Sequence, residues 1–259
     1  MDDIDNKADE EYWNNVWNKQ NIISKIDINC YKKVMVHDLY KNYFKADESK
    51  SICEIGCAMS QNLLYFHDYF KYKINGFDYE EKSVIKTKSI YETMGYQSNI
   101  FHHDLFSTQV HSQYDIISSF GVFEHFTNLT DSIKYTNLYL KENGMILTVI
   151  PNMNGIVGLM QKYLNRKVYD IHIPYKKDEI KVAHEVNGYK TLFCDYFGTY
   201  VGGVVNIDDI KYSNIISRII SIPGRPLYYL NKLVYKVLNK RLDSVYNSPY
   251  IIYIGRLKK

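Results

Sequence analysis

Between Ser51 and Ile150 the chain alternates short apolar runs with longer amphipathic stretches, a rhythm that few folds accept. Ser51-Ile52-Cys53-Glu54-Ile55 reads as a buried strand entering a tight turn at Gly56. Lys73 to Asp78, Asn99 to His102, Tyr114 to Ser119 and Met145 to Ile150 read as further strands. Helices are expected from Gln61, from Glu80 to Met94 before Gly95, and from Asp131 to Leu140. Strands separated by helices imply right-handed crossovers, and so a mostly parallel, doubly wound α/β sheet covered on both faces.

Two helical stretches precede this core. Tyr12, Trp13, Val16 and Trp17 recur at helical spacing between Glu10 and Lys25, and Tyr31, Val34, Met35, Leu39, Tyr40 and Phe44 continue the pattern. After Asn152 the rhythm changes. A helical run through Met160 and Leu164 leads into an irregular segment from Tyr169 to Tyr175. A helix is expected from Thr191 to Phe197, ending at Gly198, then a strand from Tyr200 to Val205 and a last strand from Tyr250 to Gly255. The division this suggests is a helical cap over residues 1–45, an α/β core over 46–152, and the rest of the sheet with an insertion and a basic amphipathic helix over 153–259.

With 259 residues, 46% hydrophobic and 24% charged, the chain has the composition of one globular domain plus a cap. Cys30, Cys53, Cys57 and Cys194 form no CxxC pair and no Cys/His ligand spacing, so a reducing cytoplasm is expected, without disulfides or a metal. The acidic start Met1-Asp2-Asp3-Ile4-Asp5 is unlike a secretory signal, and no apolar run is long enough to span a bilayer. A net charge of +3 is small for a nucleic-acid footprint. It is nonetheless uneven: after Lys211 the basic residues include Arg218, Arg225, Lys232, Lys236, Lys240 and Arg241, against the single acid Asp243. That excess invites an anionic partner, although a solvated helix face has the same composition.

The chemistry gathers at strand ends. Glu54-Ile55-Gly56-Cys57-Ala58-Met59-Ser60 lies between a strand and a helix, and Gly76-Phe77-Asp78-Tyr79 ends the next strand. In a parallel sheet this is where a nucleoside binds: the glycine admits the ligand to the backbone, and an acid about twenty residues on takes the ribose hydroxyls. His103-Asp104-Leu105 places a third acid after the third strand, and Ser118-Ser119-Phe120-Gly121-Val122-Phe123-Glu124-His125 follows the fourth.

These motifs resemble those of the class I S-adenosylmethionine (SAM)-dependent methyltransferases, in the broad group that includes ubiquinone-pathway and small-metabolite enzymes. The resemblance covers Trp13 to Asn152 well and the remainder loosely. It implies a Rossmann-like seven-stranded sheet with an antiparallel final hairpin, SAM as cofactor and S-adenosylhomocysteine as product. The family's first motif is acid-x-Gly-x-Gly-x-Gly; Glu54 and Gly56 match it, while Ala58 and Ser60 are small replacements. Their departure from GxGxxG favours SAM, which carries no phosphate, over a dinucleotide.

By the same resemblance Glu54, Gly56, Cys57, Ala58, Asp78, Tyr79, Asp104, Leu105, Ser119 and Phe120 contact the cofactor, Asp104 through the adenine amino group. Tyr12 and Trp13 resemble a lid over it. His125 is the candidate catalytic base, though a histidine there also serves to hold neighbouring loops. Glu124, His172, His184 and Arg225 are candidates for acceptor binding. The expected reaction is methyl transfer to nitrogen or oxygen of a small polar, anionic acceptor. Enzymes of this look often act in polysaccharide biosynthesis, on phosphorylated or nucleotide-linked surface-glycan precursors. Two rivals stay open: a lipid or quinone methyltransferase touching the membrane surface through an amphipathic helix over Pro226 to Leu242, and a SAM-binding regulatory module without turnover.

Overall fold

The computed structural model describes residues 6–28, 31–110, 112–199, 204–207, 222 and 224–258. Helices α1 (Glu10–Asn18) and α2 (Tyr31–Lys41) precede β1 (Ser51–Ile55), α3 (Asn62–Phe70), β2 (Lys73–Asp78), α4 (Glu81–Thr93), β3 (Ser98–His102) and β4 (Tyr114–Phe120). A single 3₁₀ turn, Phe123–His125, leads to α5 (Leu129–Thr136), β5 (Leu140–Pro151), α6 (Ile156–Leu164), α7 (Arg166–Asp170), α8 (Lys177–Val186), β6 (Tyr189–Phe197), α9 (Gly224–Leu238) and β7 (Tyr250–Leu257).

The strands form one seven-stranded sheet in the order β3-β2-β1-β4-β5-β7-β6. β1 to β5 pair in parallel, and β7 runs antiparallel to both β5 and β6. Two apolar clusters cover the faces. One gathers Met35, Leu39, Tyr40 and Phe44 of the α2 region with Leu63, Phe66 and Phe70 of α3, and the other gathers Phe123, Ile133, Ile180, Ala183 and Tyr253. The doubly wound sheet expected from the alternation is therefore present, with its antiparallel end.

The stretch from Thr191 to Phe197, expected as a helix, is part of β6. Its aromatic and β-branched residues also satisfy strand preferences, and pairing with β7 from Tyr189↔Leu257 to Phe197↔Tyr250 decides the matter. Most of the strand expected at Tyr200 to Val205 lies outside the described residues, as do Cys30, Lys211, Arg218 and the first five residues; Val204 and Val205 are not in a strand. The helix expected to Leu140 stops at Thr136, and β5 starts at Leu140. α8 falls in a region for which no helix was expected. It buries Ile180, Ala183 and His184, one face of a helix at i, i+3 and i+4 spacing.

His184 is fully buried, stacked on Tyr253 with ring centroids 3.8 Å apart. Its Nδ1–H donates to the Ile180 carbonyl at 2.7 Å, and its Nε2 lies 3.0 Å from the Thr148 hydroxyl. Burial pushes its pKa down to about 3, so it stays neutral while folded. An unfolded histidine takes a proton below 6.5, so the stabilisation should be lost progressively as pH falls from that value toward 3. His184→Ala should cost about 3 kcal/mol by leaving a cavity and an unpaired Thr148 hydroxyl, and lower Tm on the order of 6–12 °C. Thermal unfolding checks this; a Tm within about 2 °C of wild type rejects it.

Candidate active site

The chain's direction across the sheet reverses between β1 and β4, which is where open α/β sheets place their ligands. There, at the carboxyl ends of the strands, lies a cavity of about 1030 Å³, as large as the upper range of small-molecule pockets. A smaller cleft of about 600 Å³, lined by Glu48, His67 and Asn75 among others, includes the start of β2 and lacks this set of strand-end acids.

The loop after β1 is shaped by its backbone. Gly56 has φ of +67°, and a Cβ there would lie 2.6 Å from Val122 Cγ2, so a side chain at this point is doubly disfavoured. Gly56 N–H and Cys57 N–H both donate to the Phe77 carbonyl, at 2.9 and 3.2 Å, tying the loop to the end of β2. Asp78 completes the tie: its carboxylate accepts from Ala58 N–H at 3.0 Å and from Glu80 N–H at 3.1 Å. Burial raises its pKa to about 6 against the pull of those bonds. Glu54 accepts from the Ser60 hydroxyl at 2.8 Å, and burial raises its pKa to about 8.

Asp104 is exposed on the cavity wall, where it accepts from Phe106 N–H at 3.0 Å in a local turn. Leu105, Tyr79 and Phe120 line the same space. From above, α1 brings Trp13 and Trp17, stacked 5.7 Å apart, and is held down by Lys86 Nζ on the Trp17 carbonyl and Tyr79 OH on the Ala8 carbonyl.

After β4, Glu124 and His125 project from the 3₁₀ turn into the cavity beside His172, which follows α7. The two imidazoles have centroids 4.7 Å apart, and Trp13 meets His125 edge-on at 5.3 Å. Ile173 N–H donates to the Glu124 carbonyl at 2.7 Å, and the Tyr175 hydroxyl to the Phe126 carbonyl at 2.6 Å, so the segment after α7 is laced to the turn. Burial drives His125 down to about 3 and Glu124 up to about 8. At neutral pH the uncharged forms therefore predominate, and the 3.9 Å approach of His125 Nε2 to Glu124 Oε1 is not an ion pair.

The expected residues are not all brought together. Tyr12, Cys57 and Ser119 do not line the cavity: Tyr12 lies in the first turn of α1, its N–H donating to the capping Asp9 carboxylate, Cys57 is buried in the loop after β1, and Ser119 is buried in β4. His184 is sealed in the core, and Arg225 is exposed at the start of α9; neither reaches the wall, so neither is placed to bind an acceptor there. Conversely, Lys33, Tyr40 and Tyr65 from the α2 and α3 side, and Phe197, Tyr250 and Ile252 from the β6–β7 end, line it without having been singled out. Only the sheet order brings those last three to the site.

Strand order, reversal point and a glycine-turned cleft with acids at successive strand ends define a class I methyltransferase fold. The chain belongs to the methyltransferase-domain family, whose model matches residues 31–192, and is an S-adenosylmethionine-dependent enzyme with S-adenosylhomocysteine as product. No curated protein matches it. Among solved structures it is similar to a SAM-dependent methyltransferase from Archaeoglobus fulgidus, at 17% identity and TM-score 0.54, over 87% of this chain and 94% of that one. It is also similar to one from Clostridium acetobutylicum ATCC 824, at 10% and 0.55 over 96% and 99%, and to the cyclase SpnF, at 11% and 0.57 over 86% and 81%. At such identities the likeness shows the fold alone, and a cyclase among these structures illustrates why the reaction has to be argued from the site.

Proposed function

We propose that the chain moves the SAM methyl group to nitrogen or oxygen of a small polar acceptor. The observation that carries this reading is a single cavity joining Gly56, Asp78 and Asp104 to Glu124, His125 and His172. The residues fit the cofactor: the loop at Gly56 has no room for a side chain, Asp78 offers a buried carboxylate, and the cavity exceeds what one cofactor needs. Asp78 is assigned to the ribose hydroxyls and Asp104 to the adenine amino group, with Glu54, Ala58, Tyr79, Leu105 and Phe120 around them and Trp13 as lid. When bound, the cofactor supplies a methyl group already activated by its sulfonium. The protein's part is to align the acceptor and exclude water, the work of the Trp13–Trp17 lid and the laced wall behind His172.

Among the described lining residues Lys33 stands against the carboxyl groups of Glu54, Asp78, Asp104 and Glu124. Burial keeps Glu124 and His125 uncharged, which favours a neutral group at the point of transfer. An anionic acceptor, such as a surface-glycan precursor, would draw on Lys33 and on basic residues outside the cavity. Screening acceptors of both kinds for S-adenosylhomocysteine release tests the proposal; absence of any calorimetric response to S-adenosylhomocysteine would sink it.

The Asp78 assignment has a pH signature. The carboxylate must be ionised to accept from two hydroxyls, so affinity for S-adenosylhomocysteine should fall as pH drops through about 6. In Asp78→Asn affinity should be lower by about 1–3 kcal/mol at neutral pH and lack this step. Titrations between pH 5 and pH 8 (about the range needed) decide it: a step of equal size in the variant removes Asp78 from the ribose site.

One observation favours a second acceptor class. No helix among the described residues is long and apolar enough to cross a membrane. On α9, however, Leu230, Val237 and Leu238 are exposed together with Tyr229 and Leu233, beside Lys232 and Lys236. The helix is instead held by Asn231 on Thr199 and by the Tyr235 hydroxyl on Asp38 at 2.8 Å. Such a face supports a lipid or quinone acceptor met at an anionic membrane surface. Co-sedimentation with anionic but not neutral vesicles would support that class.

A further inference from the structure

The acceptor end of the cavity contains three side chains whose arrangement goes beyond what methyl transfer requires. In both His125 and His172 the Nδ1 atom faces a backbone carbonyl, Ile171 O at 2.7 Å and Val168 O at 2.5 Å. A carbonyl can only accept, so in both rings the proton sits on Nδ1 and Nε2 carries a bare lone pair. Glu124 lies against them, with Oε1 3.9 Å from His125 Nε2 and Oε2 buried without a hydrogen-bond partner among the described residues. Glu124 and His125 are only 1% and 3% exposed. One ligand atom from each of the three residues lies within 4.8 Å of the others, the one such group among the described residues.

Two imidazole lone pairs and the Glu124 carboxyl group face one another in a space that a cation would fill on displacing the carboxyl proton. Ligands held at about 2.0–2.2 Å in a tetrahedral shell are about 3.5 Å apart, so the group needs to contract by only about 1 Å to enclose an ion. The Nδ1–H bonds to carbonyls are the outer contacts that fix metal-binding histidines in the required tautomer. The ties from Ile173 to Glu124 and from Tyr175 to Phe126 hold the two donor segments together whether or not an ion is bound.

We propose that Glu124, His125 and His172 bind one divalent transition-metal ion, with coordination positions open to the cavity. Nitrogen-rich ligation by two histidines and a carboxylate suits Zn²⁺, Mn²⁺, Fe²⁺ or Co²⁺ better than Ca²⁺ or Mg²⁺. The open positions would take an oxygen of the acceptor, selecting hydroxyl- or carboxylate-bearing molecules that chelate. Ion binding itself does not depend on the methyl-transfer reading; only this use of the ion does.

The test uses the full chain, stripped with a chelator and titrated with Co²⁺ and Zn²⁺. One ion per chain is expected, with visible Co²⁺ absorption and quenching of fluorescence from Trp13, whose ring lies 5.3 Å from that of His125. His172→Ala and Glu124→Gln should each weaken the ion by about 100-fold or more, while S-adenosylhomocysteine affinity, measured by calorimetry, stays within about threefold of wild type. Sub-stoichiometric binding by the wild-type chain overturns the proposal without reference to any variant. So does ion affinity that both folded variants retain. S-adenosylhomocysteine binding without ion binding would refute the metal site and leave the proposed function standing.

Discussion

Turnover of a hydroxyl-bearing acceptor should fall by about 10²–10⁴-fold in His125→Ala, with affinity for S-adenosylhomocysteine within about threefold of wild type. The ring is fixed by the Ile171 carbonyl on one nitrogen, and its other nitrogen is directed toward Glu124 and the cavity. Whether that nitrogen accepts a hydrogen bond from the acceptor hydroxyl or holds an ion, its removal deprives the acceptor oxygen of its partner. An amine acceptor needs no such partner, and there the fall should be within about fivefold. The pH profile adds a separate check. With its pKa pushed to about 3, His125 remains neutral, so no activity limb belonging to it should appear near 6.5. A limb centred there, present in the wild type and absent in the variant, would show a solvated histidine and overturn the buried-cluster account.

Gly56→Val should nearly abolish cofactor binding, with a loss on the order of 2–4 kcal/mol, or about 30- to 1000-fold. A β-branched residue at φ +67° is strained, its Cβ would press on Val122 Cγ2 at 2.6 Å, and its methyl groups would enter the space beside the loop. Gly95→Ala is the matched control. Gly95 has φ of +82°, but a Cβ added there would meet nothing within 4 Å, so this change should cost about 1 kcal/mol of stability and leave S-adenosylhomocysteine affinity intact. If calorimetry shows both variants binding as well as wild type, the loop at Gly56 is not part of the cofactor site.

β1, β2 and β4 were readable because each is a compact, largely buried run bounded by Gly56, Asp78 or Gly121, whereas β3 buries only Ile100 and is carried by its place in the alternation. The strand-end acids were readable for the same reason, since locating a strand locates its end. β6 was not. Tyr189, Leu192, Phe193 and Phe197 satisfy helical spacing as well as strand preference, and the β7 partner that resolves the ambiguity lies some sixty residues further on. His172 and His184 illustrate the limit for site residues. Both were candidate acceptor contacts in the same divergent region, yet α7 leads one to the cavity and α8 carries the other into the core. Nothing local to either histidine distinguishes those outcomes.

The position of β7 also has a consequence during synthesis. It fills the gap between β5 and β6, and its register reaches from Pro151↔Tyr250 to Tyr189↔Leu257. Until residues 250–257 have left the ribosome, β5 keeps an open apolar edge and β6 lacks the strand it pairs with. Exposed edges of that kind recruit other chains, so the nascent protein passes through a late, aggregation-prone stage in which the cofactor half can fold while the sheet stays unclosed. Chains truncated before Tyr250 should therefore aggregate more readily than chains that include β7.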